Sequence, residues 1–458
     1  MKITDFKYVY FLGIGGIGMS ALARWFAING FVVAGYDRTP TPLTNKLQTE
    51  GIAVHFDDDI AQIPLPFKEN KAQTLVIFTP AIPANHAEYN FLKNNGFELQ
   101  KRAQVLGLLA GGMFTLAVAG THGKTTTSSM LAHLLRHSGV NCAAFLGGIT
   151  QNYGTNLLIN EPTDDLSQVF CVVEADEFDR SFLTLFPNIA VVTSTDADHL
   201  DIYGDHHSML ESFAAFVAQI KPNGHFFMQQ SLELAAQTTA QTSTYSLQSG
   251  AYHAQNVRVE NACFVFDIIY PNGHIENISM QVPGFHNVEN AIAAAAVALE
   301  VGLSEAQIKT GLETFGGVKR RFEYYLKTDQ KVLIDDYAHH PTEVEAFLRS
   351  VKALYPTRHL TAIFQPHLFS RTRDFAAEFA QSLSVANHLI LLDIYPAREL
   401  PIEGVTSALI FDQVTCLKTQ CLKTDLLETL KNSPTDVVVT IGAGDIDQYI
   451  EPIKQLLQ

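Results

Sequence analysis

Short apolar runs recur along the chain, each stopping at a polar or glycine-rich turn. Residues 7–13, 31–35 and 74–78 form such runs early, 114–119, 169–173 and 189–192 follow, and 331–334, 360–364, 388–392 and 437–441 come late. Runs this short, bounded by turn residues, predict buried strands. Between them lie stretches with helical spacing: 19–29, 84–95, 128–136, an alanine-rich segment through Glu300, and one that begins near Thr342 and ends at Tyr355. In 128–136 the side chains of Met130, Leu131, Leu134 and Leu135 share one face. Such alternation predicts parallel sheets covered by helices, with ligands at the carboxyl ends of the strands. After Lys221 the pattern changes to short β-like runs, with a hairpin at Pro271-Asn272-Gly273.

The run 114–119 leads into Gly120-Thr121-His122-Gly123-Lys124-Thr125-Thr126, and a helix follows. Strand, glycine turn, lysine, hydroxyl and helix make a phosphate cradle, because N–H groups at a helix start point at anionic oxygens. Lys124 is expected to reach the β and γ phosphates of a nucleotide, and Thr125 to take Mg²⁺. Val118 stands where the usual pattern has its first glycine, so the loop is expected to be tight. Acidic groups stand at the ends of the next strands: Glu174-Ala175-Asp176-Glu177, then Asp196, Asp198 and Asp201, with His199 among them. Glu174 and His199 are therefore candidate metal ligands beside Thr125.

A second glycine turn, Gly13-Ile14-Gly15-Gly16-Ile17-Gly18, lies after the first strand and runs into Met19 and Ser20. Asp37 follows about 20 residues on, at the end of the next strand, as in dinucleotide-binding folds. A glycine turn at a helix start binds any pyrophosphate, so a nicotinamide dinucleotide and a UDP-sugar both remain open. The turn Thr79-Pro80-Ala81-Ile82 ends a neighbouring strand and would line the same cleft. His286, Asn287 and Asn290 stand at a helix start and suit either capping or hydrogen bonds to a purine. Gly316-Gly317 precedes Lys319-Arg320-Arg321, a pairing of flexible and basic residues that suits phosphate contact on domain closure.

Composition narrows the class. The net charge of −16 argues against a nucleic-acid partner. No secretory signal and no apolar run of about 20 residues is visible, so a cytoplasmic protein without a membrane span is expected. Five cysteines without C-x-x-C spacing read as reduced thiols. With breaks near Gly111-Gly112 and Gly316-Gly317, the expected fold is α/β in three domains. These are a Rossmann-like N-terminal domain at 1–109, a central P-loop ATPase-like mononucleotide-binding domain at 110–316, and a C-terminal Rossmann-like domain at 317–458.

Taken in order, GIGGIGMSALA, AGTHGKTTT, EADEFDRSF, DADHLDIY, GFHNVENA, RRFE, DDYAHHPTE, FQPHLFSRTRD and TIGAGDI resemble the muramyl ligases almost end to end. These are ATP-dependent enzymes that add amino acids to the peptidoglycan precursor. The resemblance implies ATP and Mg²⁺ as cofactors, and UDP-N-acetylmuramate and L-alanine as small-molecule substrates of a monomer or weak homodimer. It places Gly13 to Ser20, Asp37 and Thr79 to Ile82 (with Pro80 and Ala81) on the UDP-sugar. It places Gly120 to Thr126, His286, Asn287, Asn290, Arg321, Asp336, His339 and His340 on ATP. It makes Thr125, Glu174 and His199 metal ligands, gives Lys124, His199 and Arg321 catalytic roles, and puts His367 and Arg371 on the amino acid, Arg371 as carboxylate clamp. Leu368 stands where some related ligases carry a basic residue, and no lysine between 201 and 220 is available for the carbamylation that some ligases of the superfamily use. Three alternatives stay open: a sibling ligase adding a preformed tripeptide, a nicotinamide-dependent oxidoreductase, and a non-catalytic P-loop protein.

Overall fold

The computed structural model describes residues 3–161, 163, 165–198, 200–235, 237–397 and 399–458, with only the backbone of 200 and 201. The chain forms two compact units, Met1–Ser246 with Ala293–Ile308, and Leu247–Ile292 with Lys309–Gln458.

The first unit holds two sheets. In one, β1 (Tyr8–Leu12), β2 (Val32–Tyr36), β3 (Ala53–His55), β4 (Thr74–Phe78) and β5 (Glu98–Lys101) lie in the order β3-β2-β1-β4-β5. All four pairings are parallel. The order reverses between β1 and β4, so the crevice for a ligand opens beyond their carboxyl ends. In the other, the first unit contributes β6 (Phe114–Ala119), β7 (Cys142–Thr150), β8 (Thr155–Leu158), β9 (Phe170–Glu174), β10 (Ile189–Val192), β11 (His225–Gln229) and β12 (Gln241–Ser246). They run in the order β12-β11-β10-β6-β9-β7-β8, parallel except for β8.

Strands covered on both faces need apolar residues throughout, which is why these segments read as unbroken apolar runs. Val9, Phe11, Val118, Val172 and Val191 are all buried. Each such side chain contributes about 1.5–3 kcal/mol relative to exposure. The helix after β6 spans Lys124–His137 and buries Met130, Leu131, Leu134 and Leu135, the predicted face. It begins at Lys124, earlier than the spacing alone predicts. Gly123, in the left-handed region at φ 82°, turns the chain into it, and burial of Thr126, Thr127 and Ser128 outweighs their modest helix propensity.

In the second unit β13 (Tyr252–Glu260), β14 (Cys263–Tyr270) and β15 (Gly273–Met280) form an antiparallel meander, with the predicted hairpin between the last two. The C-terminal sheet takes β16 (Glu323–Lys327), β17 (Val332–Asp336), β18 (Leu360–Phe364), β19 (His388–Leu391), β20 (Leu417–Gln420) and β21 (Val437–Ile441) in the order β16-β17-β21-β18-β19-β20. It is parallel except for the edge strand β16. All five cysteines are free thiols. No helix among the described residues is long and apolar enough to cross a membrane.

Candidate active site: two glycine loops and the polar strand ends

Gly13 follows β1 at φ 86°, a conformation that favours glycine. A methyl group there would lie 2.6 Å from Thr79 Cγ2, so the turn after β4 closes over the glycine loop. The predicted pairing of Gly13 with Thr79 to Ile82 is thus met across the switch point. Asp37, at the end of β2, accepts the Gly15 N–H at 2.7 Å and braces the loop. The helix Ile17–Ile28 starts here with Gly16 as its cap residue and no side-chain cap, which leaves its first N–H groups to an anion. Met19 and Ser20 are buried; Ser20 Oγ donates to Ile17 O at 2.9 Å. Asn156 Nδ2, from β8, donates to Ile17 O at 2.5 Å and to Ser20 Oγ at 3.2 Å. Arg102 lies against Gly18, where a Cβ would run into its guanidinium, and it donates to Asp176 Oδ2 at 3.0 Å.

The phosphate loop sits between β10 and β9. Gly120 has φ 131°, and a Cβ there would collide with Thr193 Oγ1. The loop is stitched to the end of β10: Thr121 N donates to Ser194 O at 3.0 Å, His122 N to Ser194 Oγ at 2.7 Å, and Thr121 Oγ1 to Asp196 O at 2.9 Å. His122 Nε2 also lies 3.2 Å from Asp196 Oδ2. Lys124 folds back on the loop and donates to Gly120 O at 2.5 Å, Thr121 O at 3.1 Å and Glu177 Oε1 at 2.8 Å. Burial works against its charge, but Glu177, Asp176 and Glu174 outweigh burial and hold the ammonium above its ordinary pKa. Burial pushes the Glu177 carboxyl up to about 7, against the pull of Lys124. Glu174 ends β9, beside Val118, and accepts the Gly147 N–H at 3.0 Å. Carboxylate and hydroxyl oxygens are hard donors, so Glu174 and Thr125 suit Mg²⁺.

The second unit carries the remaining candidates, at the end of β17, in turns and at helix starts. Asp336, the last residue of β17, accepts the Phe322 and Ala338 N–H groups at 2.8 Å each. Burial raises its pKa to about 7, although Arg321 opposes this. Arg320 is structural: it reaches Asp335 Oδ2 at 3.1 Å and Gly442 O at 2.6 Å. Arg321 sits over the Tyr337 ring, 5.3 Å from its centroid, and 3.8 Å from Glu343. His339 is held by Tyr337 O at 3.0 Å, and His340 caps the helix Pro341–Leu354. His286 is half-buried, and loss of solvation lowers its pKa to about 4, so it is a neutral ring beside Phe322. Asn287 Nδ2 donates to Pro283 O at 2.7 Å, and Asn290 Nδ2 to Asn287 Oδ1 at 3.3 Å. Between the two roles the sequence leaves open for these residues, the amide of Asn287 is here bonded at the helix start. His367 stacks on Tyr395 and lies 3.4 Å from the Arg371 guanidinium. Leu368 between them has φ 71°, strain of the kind that collects at functional turns.

Three family models match in tandem: "Mur ligase family, catalytic domain" over residues 8–113, "Mur ligase middle domain" over 118–298 and "Mur ligase, glutamate ligase domain" over 320–444. The chain belongs to the Mur ligase family. Its three-domain α/β fold agrees with that membership. It is 49% identical to the UDP-N-acetylmuramate–L-alanine ligase of Phocaeicola vulgatus, covering 100% of this chain and 99% of that one. To the enzyme of the same name from Cytophaga hutchinsonii it is 50% identical, covering 100% and 98%. The crystal structure of a UDP-N-acetylmuramate-alanine ligase from Thermotoga maritima superposes with TM-score 0.79 at 26% identity, covering 98% and 99%. A murein peptide ligase from Psychrobacter arcticus shares the fold, at TM-score 0.70 and 22% identity, covering 98% of each chain.

In this Mur ligase, His199 lies outside the described residues. Four residues near the two loops escaped sequence reasoning: Arg102, Asn156, Asp176 and Glu177. The acidic run 174–179 is the signal nearest to Asp176 and Glu177, and its place at a strand end points to Glu174.

Proposed function

We propose that this chain joins L-alanine to the carboxylate of UDP-N-acetylmuramate, in cytoplasmic peptidoglycan precursor synthesis, at the cost of ATP. Full-length identity of 49–50% to relatives named for that reaction carries this reading. The domains are assigned as 1–109, 110–316 and 317–458, for UDP-sugar, ATP and amino acid in turn.

A carboxylate and an amine do not condense usefully in water, because the oxygen that must leave is a poor leaving group. In the assigned reaction the sugar carboxylate attacks the γ-phosphorus, the bond to ADP breaks, and an acyl phosphate forms. The amine of L-alanine then attacks the acyl carbon, and inorganic phosphate departs as the amide forms and the amine proton is lost. Lys124 supplies positive charge to the transferring group, and Arg321 is assigned to the same phosphate. Thr125 and Glu174 would hold Mg²⁺, which when bound neutralises phosphate charge; His199 is assigned as a further ligand. The loop Gly120 to Thr126 cradles phosphates at the start of its helix, beyond the Thr121 and His122 N–H groups that Ser194 holds, while Gly13 to Ser20, with Asp37 and Thr79 to Ile82, orients the pyrophosphate of the sugar nucleotide. His286, Asn287, Asn290, Asp336, His339 and His340 are assigned to the nucleotide, and His367 and Arg371 to the amino acid.

The test is isotopic. With oxygen-18 in the lactyl carboxyl group, one label is expected in the released phosphate. Phosphate free of label would overturn the acyl-phosphate reading. ADP release scanned over L-alanine, glycine, L-serine and the tripeptide separates L-alanine ligation from tripeptide addition.

A further inference from the structure

An ammonium group carries three protons. Those of Lys124 are spent on Gly120 O, Thr121 O and the Glu177 carboxylate, both of whose oxygens lie 2.8 Å from Nζ. In this conformation the lysine has no donor left for a phosphate. Glu177 is itself fixed: its side chain is 2% exposed, and its carbonyl accepts the Tyr203 hydroxyl at 2.5 Å and the Arg180 N–H at 2.9 Å. The chain behind it turns through Asp179 and Arg180, both left-handed at φ 52° and 53°, a strained path for residues other than glycine. A carboxylate is thus delivered, at conformational cost, to the one ammonium the phosphate loop offers.

We propose that Glu177 is a positioning residue that stands in for a nucleotide's terminal phosphates, holding Lys124 at the loop and yielding it when nucleotide binds. The inference rests on the reading of this loop as an ATP site. Two anions cannot share one buried ammonium without mutual repulsion, so carboxylate and phosphate compete for Lys124. A site occupied by its own competitor binds ligand more weakly by the fraction so occupied. Glu177 therefore lowers nucleotide affinity while keeping the lysine in place.

The experiment is calorimetric titration of the full-length chain with MgADP and with MgAMP. Glu177→Gln is expected to tighten MgADP about 5–10-fold, and Glu177→Asp, whose carboxylate is one methylene shorter, about 2–3-fold. MgAMP, which lacks the β and γ phosphates assigned to Lys124, is expected to be unaffected. In a Lys124→Met background the Glu177→Gln gain is expected to vanish. Unchanged or weaker MgADP binding in both variants, or an equal gain in the Lys124→Met background, overturns the proposal. Glu177→Asp keeps a charged partner for Lys124 and serves if Glu177→Gln does not fold, as judged by circular dichroism. Failure of the wild-type chain to bind MgADP at all would overturn the nucleotide reading itself.

Discussion

The loop after β1 and the loop after β6 both follow a parallel strand, turn on glycines of positive φ and open a helix, yet they draw their cation from different places. The phosphate loop carries Lys124 within itself, at the first position of its helix. The loop after β1 has no basic residue between Gly13 and Ser20; Arg102 comes to Gly18 from the helix that follows β5. Each cation is held by a carboxylate of the same acidic run, Arg102 by Asp176 and Lys124 by Glu177. Arg102 and Asp176 are partly exposed, whereas the Lys124 side chain is 13% and the Glu177 side chain 2% exposed. The partly exposed pair is suited to holding an anion that stays unchanged. The buried pair is suited to charge that moves, because a low-dielectric site strengthens every interaction with a developing charge.

The largest effect expected from this contrast is on turnover. Lys124→Ala should lower the ATP-dependent release of ADP by about 10³-fold or more, while the affinity for UDP-N-acetylmuramate stays within about 2-fold of wild type, the margin expected for separate sites that share no partners. Steady-state kinetics and equilibrium binding together check it. Equal loss of both would mean that the two loops act as one site, and the comparison would fail.

Next in size is the loss of the borrowed cation. Arg102→Ala removes a charge-assisted contact of about 1.5–3 kcal/mol, so UDP affinity should fall about 10–100-fold, with MgADP affinity unchanged. Titrations with UDP and with MgADP read the two loops separately. If MgADP weakens in parallel, the segment from Asp176 to Glu177 transmits between the loops and they are not independent.

The distance between partners explains what the sequence made legible. Each glycine loop was readable because strand, turn and helix are adjacent in the chain, and local chemistry dictates them. The switch point, with Thr79 over Gly13, followed from the rule that strand ends line the crevice. Glu177 and Lys124 are 53 residues apart, Arg102 and Asp176 are 74 apart, and Asn156 reaches Ile17 over 139. No periodicity encodes such pairings; they come from sheet order. The same limit hid the split roles of the basic turn. Arg320 and Arg321 are neighbours of one charge, yet the left-handed turn at Arg320 sends one to Asp335 and Gly442 and sets the other over Tyr337. The edge strand β16 was missed because its residues Glu323 to Lys327 form no apolar run.

The smallest expected effect is on stability, and it turns on a pair of buried glutamic acids, one in each region. Glu88 is fully buried, accepts the Tyr10 hydroxyl at 2.6 Å, and has its pKa raised by burial to about 7, as Glu177 does. For Glu88 the unfolded chain titrates near 4.5 and the folded chain near 7, whereas for Glu177 the charge of Lys124, itself held above its ordinary pKa by Glu177, offsets the cost of ionisation. Below 4.5 both states hold the proton and nothing is lost. Between the two values the folded chain keeps a proton that the unfolded chain gives up, so stability falls as pH rises, and above 7 the whole loss is present. That interval corresponds to roughly 3 kcal/mol at most. Glu88 faces a phenol and the His55 ring 3.3 Å away, and among the described residues no lysine or arginine is paired with it. Glu88→Gln removes the titration and keeps an oxygen for Tyr10, so at pH 8 it should unfold at higher denaturant than wild type, by about 1–2 kcal/mol, with little difference at pH 5. Glu177→Gln does the opposite at pH 8, losing about 1–3 kcal/mol, because Lys124 is left buried without its nearest counter-charge. Denaturant midpoints of both variants at pH 5 and pH 8 decide it. Opposite signs at pH 8 would show that the two acids reach a similar pKa for different reasons, one by burial opposed by the Tyr10 hydroxyl and one by burial set against a lysine. A shift in the same direction would remove the distinction between the two regions on which the ranking of these effects depends.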